Sequence, residues 1–291
     1  MAIRAIKEQL MGLAYPASEK VLRSLQTVQM SRTTTLRLIP PPSERGGGLG
    51  TTTYSEWCYT VGFFQSMIFN TLPKQRPLRM LDVGCGVGRL YLAARPYLGA
   101  SDTYTGMDVS NSFLEICRRR YKDQNVSFVH LDASNPLYAS DGSVENAPWP
   151  FEANSFNFVT ALSVWTHLSE RDFRFYLAEL GRTLAPGGKA LITFFILDDD
   201  YDATLSSRTD NQSHFYPQPS TMWIFDQPAY GSSSYFYPRW AEVPEVAIGV
   251  SKAAFDDAVA QANLKVVQYF SGCWKEQPGL HFQDIVVFER H

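Results

Sequence analysis

The sequence predicts an α/β fold: a seven-stranded, mostly parallel sheet flanked by helices, preceded by a helical segment and carrying an aromatic-rich cap. Three observations predict it. From Leu78 onward, short apolar runs alternate with helical patterns, the rhythm of βαβ units around a parallel sheet. A glycine turn, Gly84-Cys85-Gly86-Val87-Gly88, ends the first apolar run and opens a helix. The last two apolar runs are joined only by SGCWKEQPGLHF, too short for a crossover helix, so the final strand is expected to run antiparallel to its neighbour.

Taken in order, Ile3, Ile6, Leu10 and Leu13, then Val21, Leu22, Leu25 and Val28, repeat at helical spacing and predict two amphipathic helices over residues 1 to 30. PPPSERGGGLG at 40 to 50 joins a proline run to a glycine run and reads as a loop before a helix over about 55 to 72. Strands are expected at 79–83, 103–107, 126–130, 156–161 and 189–195, with helices over 88–97, 111–122 and 170–183. Pro186-Gly187-Gly188 is the expected stop of the last of these helices. Residues 196 to 245 are rich in aromatics and prolines without a clean period, which marks an insertion folded over the sheet. The rhythm resumes with a helix at about 251–263 and strands at 264–270 and 283–289. Two parts follow: an N-terminal helical segment, 1–75, packing on a core domain, 76–291, that carries the cap at about 196–245.

Composition narrows the function classes. With 291 residues, 45% of them hydrophobic, the chain buries a full core. Lys and Arg number 26 against 29 Asp and Glu, without a basic run, which argues against nucleic acid as the main partner. Cys58, Cys85, Cys117 and Cys273 lie far apart in sequence, without zinc spacing, and read as reduced thiols of a cytoplasmic protein. Arg4, Lys7 and Glu8 interrupt any signal-peptide core, and no window approaches the apolar length of a membrane span.

A strand, a glycine turn and a helix together point backbone N–H groups at a ligand. A dinucleotide fingerprint needs glycine at 84, 86 and 89, and position 89 is arginine. Asp82 at the turn would repel a pyrophosphate and attract an ammonium group. Asp108, twenty residues after Gly88, is placed to accept from ribose hydroxyls. Asp132, after the third strand, suits an exocyclic amine such as that of adenine.

LDVGCGVGR, GMDVS, HLDAS, FNFVTALSVWTHL and LAPGGKALITF, in that order, resemble the motifs of the class I S-adenosylmethionine-dependent methyltransferases over roughly residues 78 to 195. The resemblance implies a Rossmann-like fold with S-adenosylmethionine as cofactor and S-adenosylhomocysteine as product. It implies that Asp82, Gly84, Cys85, Gly86 and Gly88 hold the methionine part, Asp108 and Val109 the ribose, and Asp132 and Ala133 the adenine, with Leu162 and Ser163 lining the methionine side. The competing local readings are a plain turn at the glycines, a helix cap at Asp108 and a turn aspartate at Asp132.

The acceptor site is expected on the carboxyl edge of the sheet. His167, after the fourth strand, is a candidate base or an orienting residue for the next helix. Asp198, in ILDDDYD, is a candidate base; that acidic run also reads as a cation site or a solvated loop, and no metal is expected. His214, inside the insertion, stays unplaced. An antiparallel last strand starts on the carboxyl edge, so Trp274, His281, Gln283 and Asp284 become rim candidates, His281 as a further proton acceptor; Gln283 and Asp284 also fit as partners of backbone groups. Trp223, Phe225, Tyr230, Tyr235, Phe236, Tyr237 and Trp240 supply aromatic faces for stacking on a sugar, or form a small core of their own.

SGCWKEQPGLHFQDIVVFER, with SVWTHL and GGKALITFFILDDD, is similar to a bacterial methyltransferase subgroup associated with glycan and polysaccharide assembly. That likeness implies a sugar, oligosaccharide or polysaccharide hydroxyl as acceptor, or a terminal phosphate. The long aromatic insertion departs from the subgroup. Methylation of a small aromatic or polyketide-type alcohol, and a non-catalytic cofactor-binding protein, are the other readings; homodimer formation stays open.

Overall fold

A computed structural model describes residues 38–45, 53–133 and 146–291; the helices expected over 1 to 30 and the glycine run at 46–50 lie outside them. The helical elements of the core are α1 (Tyr54–Thr71), α2 (Arg89–Ala94), α3 (Asn111–Arg120), α4 (Glu170–Thr183), α5 (Asp199–Thr204) and α6 (Lys252–Gln261). The strands are β1 (Arg79–Val83), β2 (Thr103–Asp108), β3 (Val126–His130), β4 (Phe156–Ala161), β5 (Leu184–Phe194), β6 (Ile196–Leu197), β7 (Phe225–Pro228), β8 (Tyr235–Pro238), β9 (Gly249–Ser251), β10 (Leu264–Phe270) and β11 (Asp284–Arg290).

Seven strands make one sheet in the order β10-β11-β5-β4-β1-β2-β3. Pairings from β5 through β3 are parallel, and β11 is antiparallel to both β5 and β10, as its short connection requires. Residues alternate between two cores. Met80, Tyr104, Leu191 and Ile285 pack against α1, α2 and α3; Leu81, Val83, Val159 and Ile192 pack against α4 and α6. A sheet covered on both faces explains why β4 reads FNFVTA with every residue buried.

Two elements differ from expectation for identifiable reasons. α2 stops at Ala94 and passes into a short 3-10 turn, because Pro96 has no N–H to continue the ladder. β5 begins at Leu184, directly after α4: Pro186-Gly187-Gly188 bulges out of the strand, and the β4–β5 register jumps from Phe156↔Leu184 to Phe158↔Lys189.

The insertion is structured. β6-β9-β8-β7 form a second, four-stranded sheet, so the cap reaches past residue 245 to Ser251. Under it lies a third core of Phe195, Tyr201, Tyr216, Trp223, Phe225, Ala247 and Trp274.

Candidate active site

The glycine turn follows β1 with Gly84, Gly86 and Gly88 all at positive φ, a conformation that side chains with a Cβ adopt at a cost. Steric demands differ along it. A Cβ on Gly88 would lie 2.3 Å from the Tyr121 ring, whereas one on Gly86 would meet nothing within 4 Å. Gly86 therefore faces an open cradle. Its N–H donates to Asp108 Oδ2 at 2.8 Å, and the Cys85 N–H donates to the Met107 carbonyl at 3.0 Å. Cys85 is buried beside Cys117, whose thiol donates to the Gly86 carbonyl at 3.2 Å; contact with the Cys117 thiol, and burial, push the Cys85 thiol up.

Asp82 lies beneath the turn and is buried, not at its mouth. Tyr104 of β2 donates its hydroxyl to Oδ2 at 2.6 Å, and Thr160 of β4 donates to Oδ1 at 2.9 Å. Burial outweighs these hydroxyls and raises the carboxyl to about 7. Asp108 ends β2, with Oδ1 accepting from the Ser110 N–H at 2.8 Å; burial raises it too. The cap of α3 is Ser110, so Asp108 does not serve as the cap. Asp132 is exposed just after β3, with buried Ala133 beyond it, while the His130 Nε2 lies 3.0 Å from the Val109 carbonyl. β1, β2 and β3 are neighbours in the sheet, so three carboxylates line one edge.

On the other side of the turn, Leu162 and Ser163 follow the end of β4. Ser163 has φ 57°, a left-handed conformation unusual for serine. Its N–H donates to Thr193 Oγ1 at 2.8 Å and its hydroxyl to Gln283 Oε1 at 2.9 Å, while Gln283 Nε2 reaches Thr166 Oγ1 at 3.5 Å. The start of β11 is thus joined to the β4 lip, where topology places it.

The remaining candidates disperse. His167 Nδ1 lies 2.7 Å from the Glu245 carbonyl and ties the cap to the β4 lip; burial lowers its pKa. Asp198 caps α5 and accepts from Lys275 Nζ at 2.7 Å and the Tyr269 hydroxyl at 2.8 Å. Asp284, fully buried, accepts from the Ile196 N–H at 2.8 Å and the Gly272 N–H at 2.7 Å, with Lys275 Nζ at 3.1 Å. These two carboxylates hold one buried lysine, not a surface for a ligand. Lys275 was missed from sequence, although it is the one cation of the 271–282 loop.

His281 stacks on Phe63 at 5.6 Å, and burial lowers its pKa to about 4. Trp223 and Trp274 are 4% and 0% exposed, at the centre of the cap core. Tyr237 is half-buried against the main core, and Tyr230 and Trp240 are the exposed aromatics of β7–β8 and its flanks. No group of three or more His, Cys, Asp or Glu that could hold a metal exists among the described residues.

Residues 80–188 match the family described as a methyltransferase domain. The matched segment is little more than a third of the chain and runs from β1 to the start of β5. Over 118 residues it is 37% identical to the fatty-acid O-methyltransferase of Mycolicibacterium smegmatis, a match covering 40% of this chain and 36% of that protein. Over 122 residues it is 30% identical to the demethylmenaquinone methyltransferase of Staphylococcus epidermidis, covering 42% and 44%. The chain thus spans less than half the length of these curated relatives. In fold, the chain is similar to an S-adenosylmethionine dependent methyltransferase from Mesorhizobium loti, with TM-score 0.52, 13% identity and coverage of 80% of this chain and 100% of that one.

Proposed function

We propose that this chain transfers the methyl group of S-adenosylmethionine to a hydroxyl of a small-molecule acceptor, a sugar or oligosaccharide by preference. The observation that carries the reading is the open cradle at Gly86, with Asp108 bonded to its N–H, Asp82 buried beneath the turn and Asp132 following the third of three adjacent strands. These residues fit the cofactor: Asp108 offers acceptor oxygens to a ribose, Asp132 to an amine, and Asp82 a negative field to an ammonium group. The bound cofactor supplies a methyl group already activated on sulfonium sulfur.

What the chain adds is alignment and exclusion of water. The β4 lip, fixed by the Ser163–Gln283–Thr166 bonds, presents polar groups to the acceptor, and the cap covers it. His167 is the proton acceptor in this reading, since burial keeps its ring uncharged and its neighbour Thr166 shares the lip with Gln283. The sugar preference is supported by the C-terminal Gln283-Asp284 segment and its likeness to glycan-associated methyltransferases.

A second reading, an apolar acceptor, is favoured by the burial of Trp223 and Trp274, which withdraws two aromatic faces from sugar stacking, and by the fatty-acid and demethylmenaquinone names of the relatives. Transfer of labelled methyl to panels of saccharides, phenols and quinols, and fatty acids, with and without chelator, tests both. Inert saccharides beside reactive phenols or fatty acids refute the sugar reading. Absence of saturable S-adenosylmethionine binding refutes methyl transfer altogether; binding without turnover on any acceptor supports a non-catalytic role.

A further inference from the structure

Arg89 immediately follows the glycine turn, and its environment is unusual for an arginine. Its guanidinium carbon lies 5.1 Å from the centroid of the Trp57 ring of α1, and Arg45 stacks on the same ring at 5.9 Å. Burial lowers its pKa to about 10 and outweighs the attraction of Glu56. Among the described residues no carboxylate pairs with Arg89 and no hydrogen-bond acceptor is recorded for it. Glu56 is committed elsewhere: its Oε2 accepts from the Thr53 N–H at 3.0 Å and the Thr53 hydroxyl at 2.9 Å in a capping box. His281, near enough for the Arg89 charge to depress it further, is neutral, stacked on Phe63 and edge-on to Phe64. A half-buried planar cation held over an indole, with no ion-paired carboxylate among the described residues, is poised to receive one, because guanidinium binds carboxylate through a fork of paired N–H donors.

We propose that Arg89, backed by Trp57, is a binding site for a carboxylate, namely the α-carboxylate of the cofactor's methionine part. This rests on the methyltransferase reading and deepens it. The nucleoside end extends toward Asp108 on β2, and the amino-acid end crosses the turn to the wall formed by α1, the head of α2 and the 271–283 loop. A carboxylate there would also pair directly with a charge that Glu56 attracts without an ion pair.

The test is calorimetric titration of the full chain with S-adenosylhomocysteine and with its decarboxylated analogue, which keeps the amine. In the wild type, loss of the ligand carboxylate weakens binding by about 10- to 100-fold, the scale of a charge-assisted pair. Arg89→Met lowers S-adenosylhomocysteine affinity by a similar factor and leaves the analogue's affinity unchanged, so that the two ligands become equal. Arg89→Lys keeps the charge without the fork and lies between. Because Arg89 packs on Trp57, unfolding of Arg89→Met leaves the wild-type ligand comparison and Arg89→Lys to decide. Equal affinity of the two ligands for the wild type, or equal losses for both in the variants, overturns the proposal. Failure of the wild type to bind S-adenosylhomocysteine at all refutes instead the methyltransferase reading.

Discussion

Cofactor binding is expected to draw a proton off Asp82. The carboxyl is buried under the glycine turn and titrates near 7 because burial outweighs the Tyr104 and Thr160 hydroxyls. An ammonium group brought to about 4 Å, at an effective dielectric of about 20, favours the ionised form by about 4 kcal/mol, enough to return the carboxyl to its ordinary range. Free protein is then about 9% ionised at pH 6 and about half ionised at pH 7, while the complex is ionised at both. Affinity for S-adenosylhomocysteine should therefore rise about fivefold from pH 6 to pH 7. It should fall again only in the alkaline range, where the ligand's own α-amino group, made more basic than a peptide amine by its free carboxylate, loses its proton.

Calorimetry at pH 7 in two buffers of different ionisation enthalpy should record release of about half a proton. Asp82→Asn should flatten the rise, with its deficit smallest at pH 6, where the wild type is itself mostly neutral. Tyr104→Phe, which removes a donor to the carboxylate, should move the rise to higher pH. An affinity flat between pH 6 and 7, or an Asp82→Asn profile that still rises, refutes the coupling. The same linkage has a stability sign: a carboxyl raised in the folded state destabilises the free protein as pH climbs from its ordinary value toward 7, by about 4 kcal/mol in total.

Alanine at Gly86 and at Gly88 should separate binding from folding. Gly86→Ala adds left-handed strain of about 1 kcal/mol but no clash, so it should melt close to wild type while cofactor affinity drops more than about tenfold; Gly88→Ala drives a methyl into Tyr121 and should cost about 1–3 kcal/mol more in melting. Normal titration by Gly86→Ala would remove the cradle assignment. Asp108→Ala should weaken cofactor binding by about 1–3 kcal/mol, and unchanged affinity would rule out its ribose role. Lys275→Met leaves Asp284 buried without its cation and should destabilise by about 3–5 kcal/mol. Burial already raises Asp284 and Lys275 opposes the rise, so the variant's carboxyl goes higher still and its deficit, followed by urea unfolding, should grow as pH climbs above the ordinary carboxylate range. A pH-independent deficit would place the energy elsewhere.

The strands that build the cofactor edge were legible because each is both local and extreme. MLDV, YTGMD and FNFVTA lie in one sheet covered on both faces, so they stand out as apolar runs, and Asp82 and Asp108 fall at or next to the ends of the first two, where the chain turns. The antiparallel β11 was legible from chain length alone, since twelve residues leave no room for a crossover helix. Arg89 was visible only as a departure from the dinucleotide pattern. Its lack of an anion is a property of burial beside Trp57, thirty-two positions earlier, and no local pattern encodes it.

The acceptor side resisted for the opposite reason. Its strands are two to four residues long, shorter than the run in which a period of two shows itself, so β6 through β9 left no signature in residues 196 to 251. Aromatic content there was ambiguous between stacking surface and core, and burial divides it: Trp223, Phe225 and Tyr235 are core, Tyr230 and Trp240 are exposed. The acidic run was ambiguous in the same way. Asp198 found its cation in Lys275, seventy-seven positions away, and Asp284 closed the pair from the start of β11. That buried trio joins the cap's first helix, the 271–283 loop and the last strand at a single point. The segments expected to choose the acceptor are thereby fastened to the same sheet that carries the glycine turn, so a change at Lys275 should disturb acceptor placement and leave the cradle at Gly86 intact.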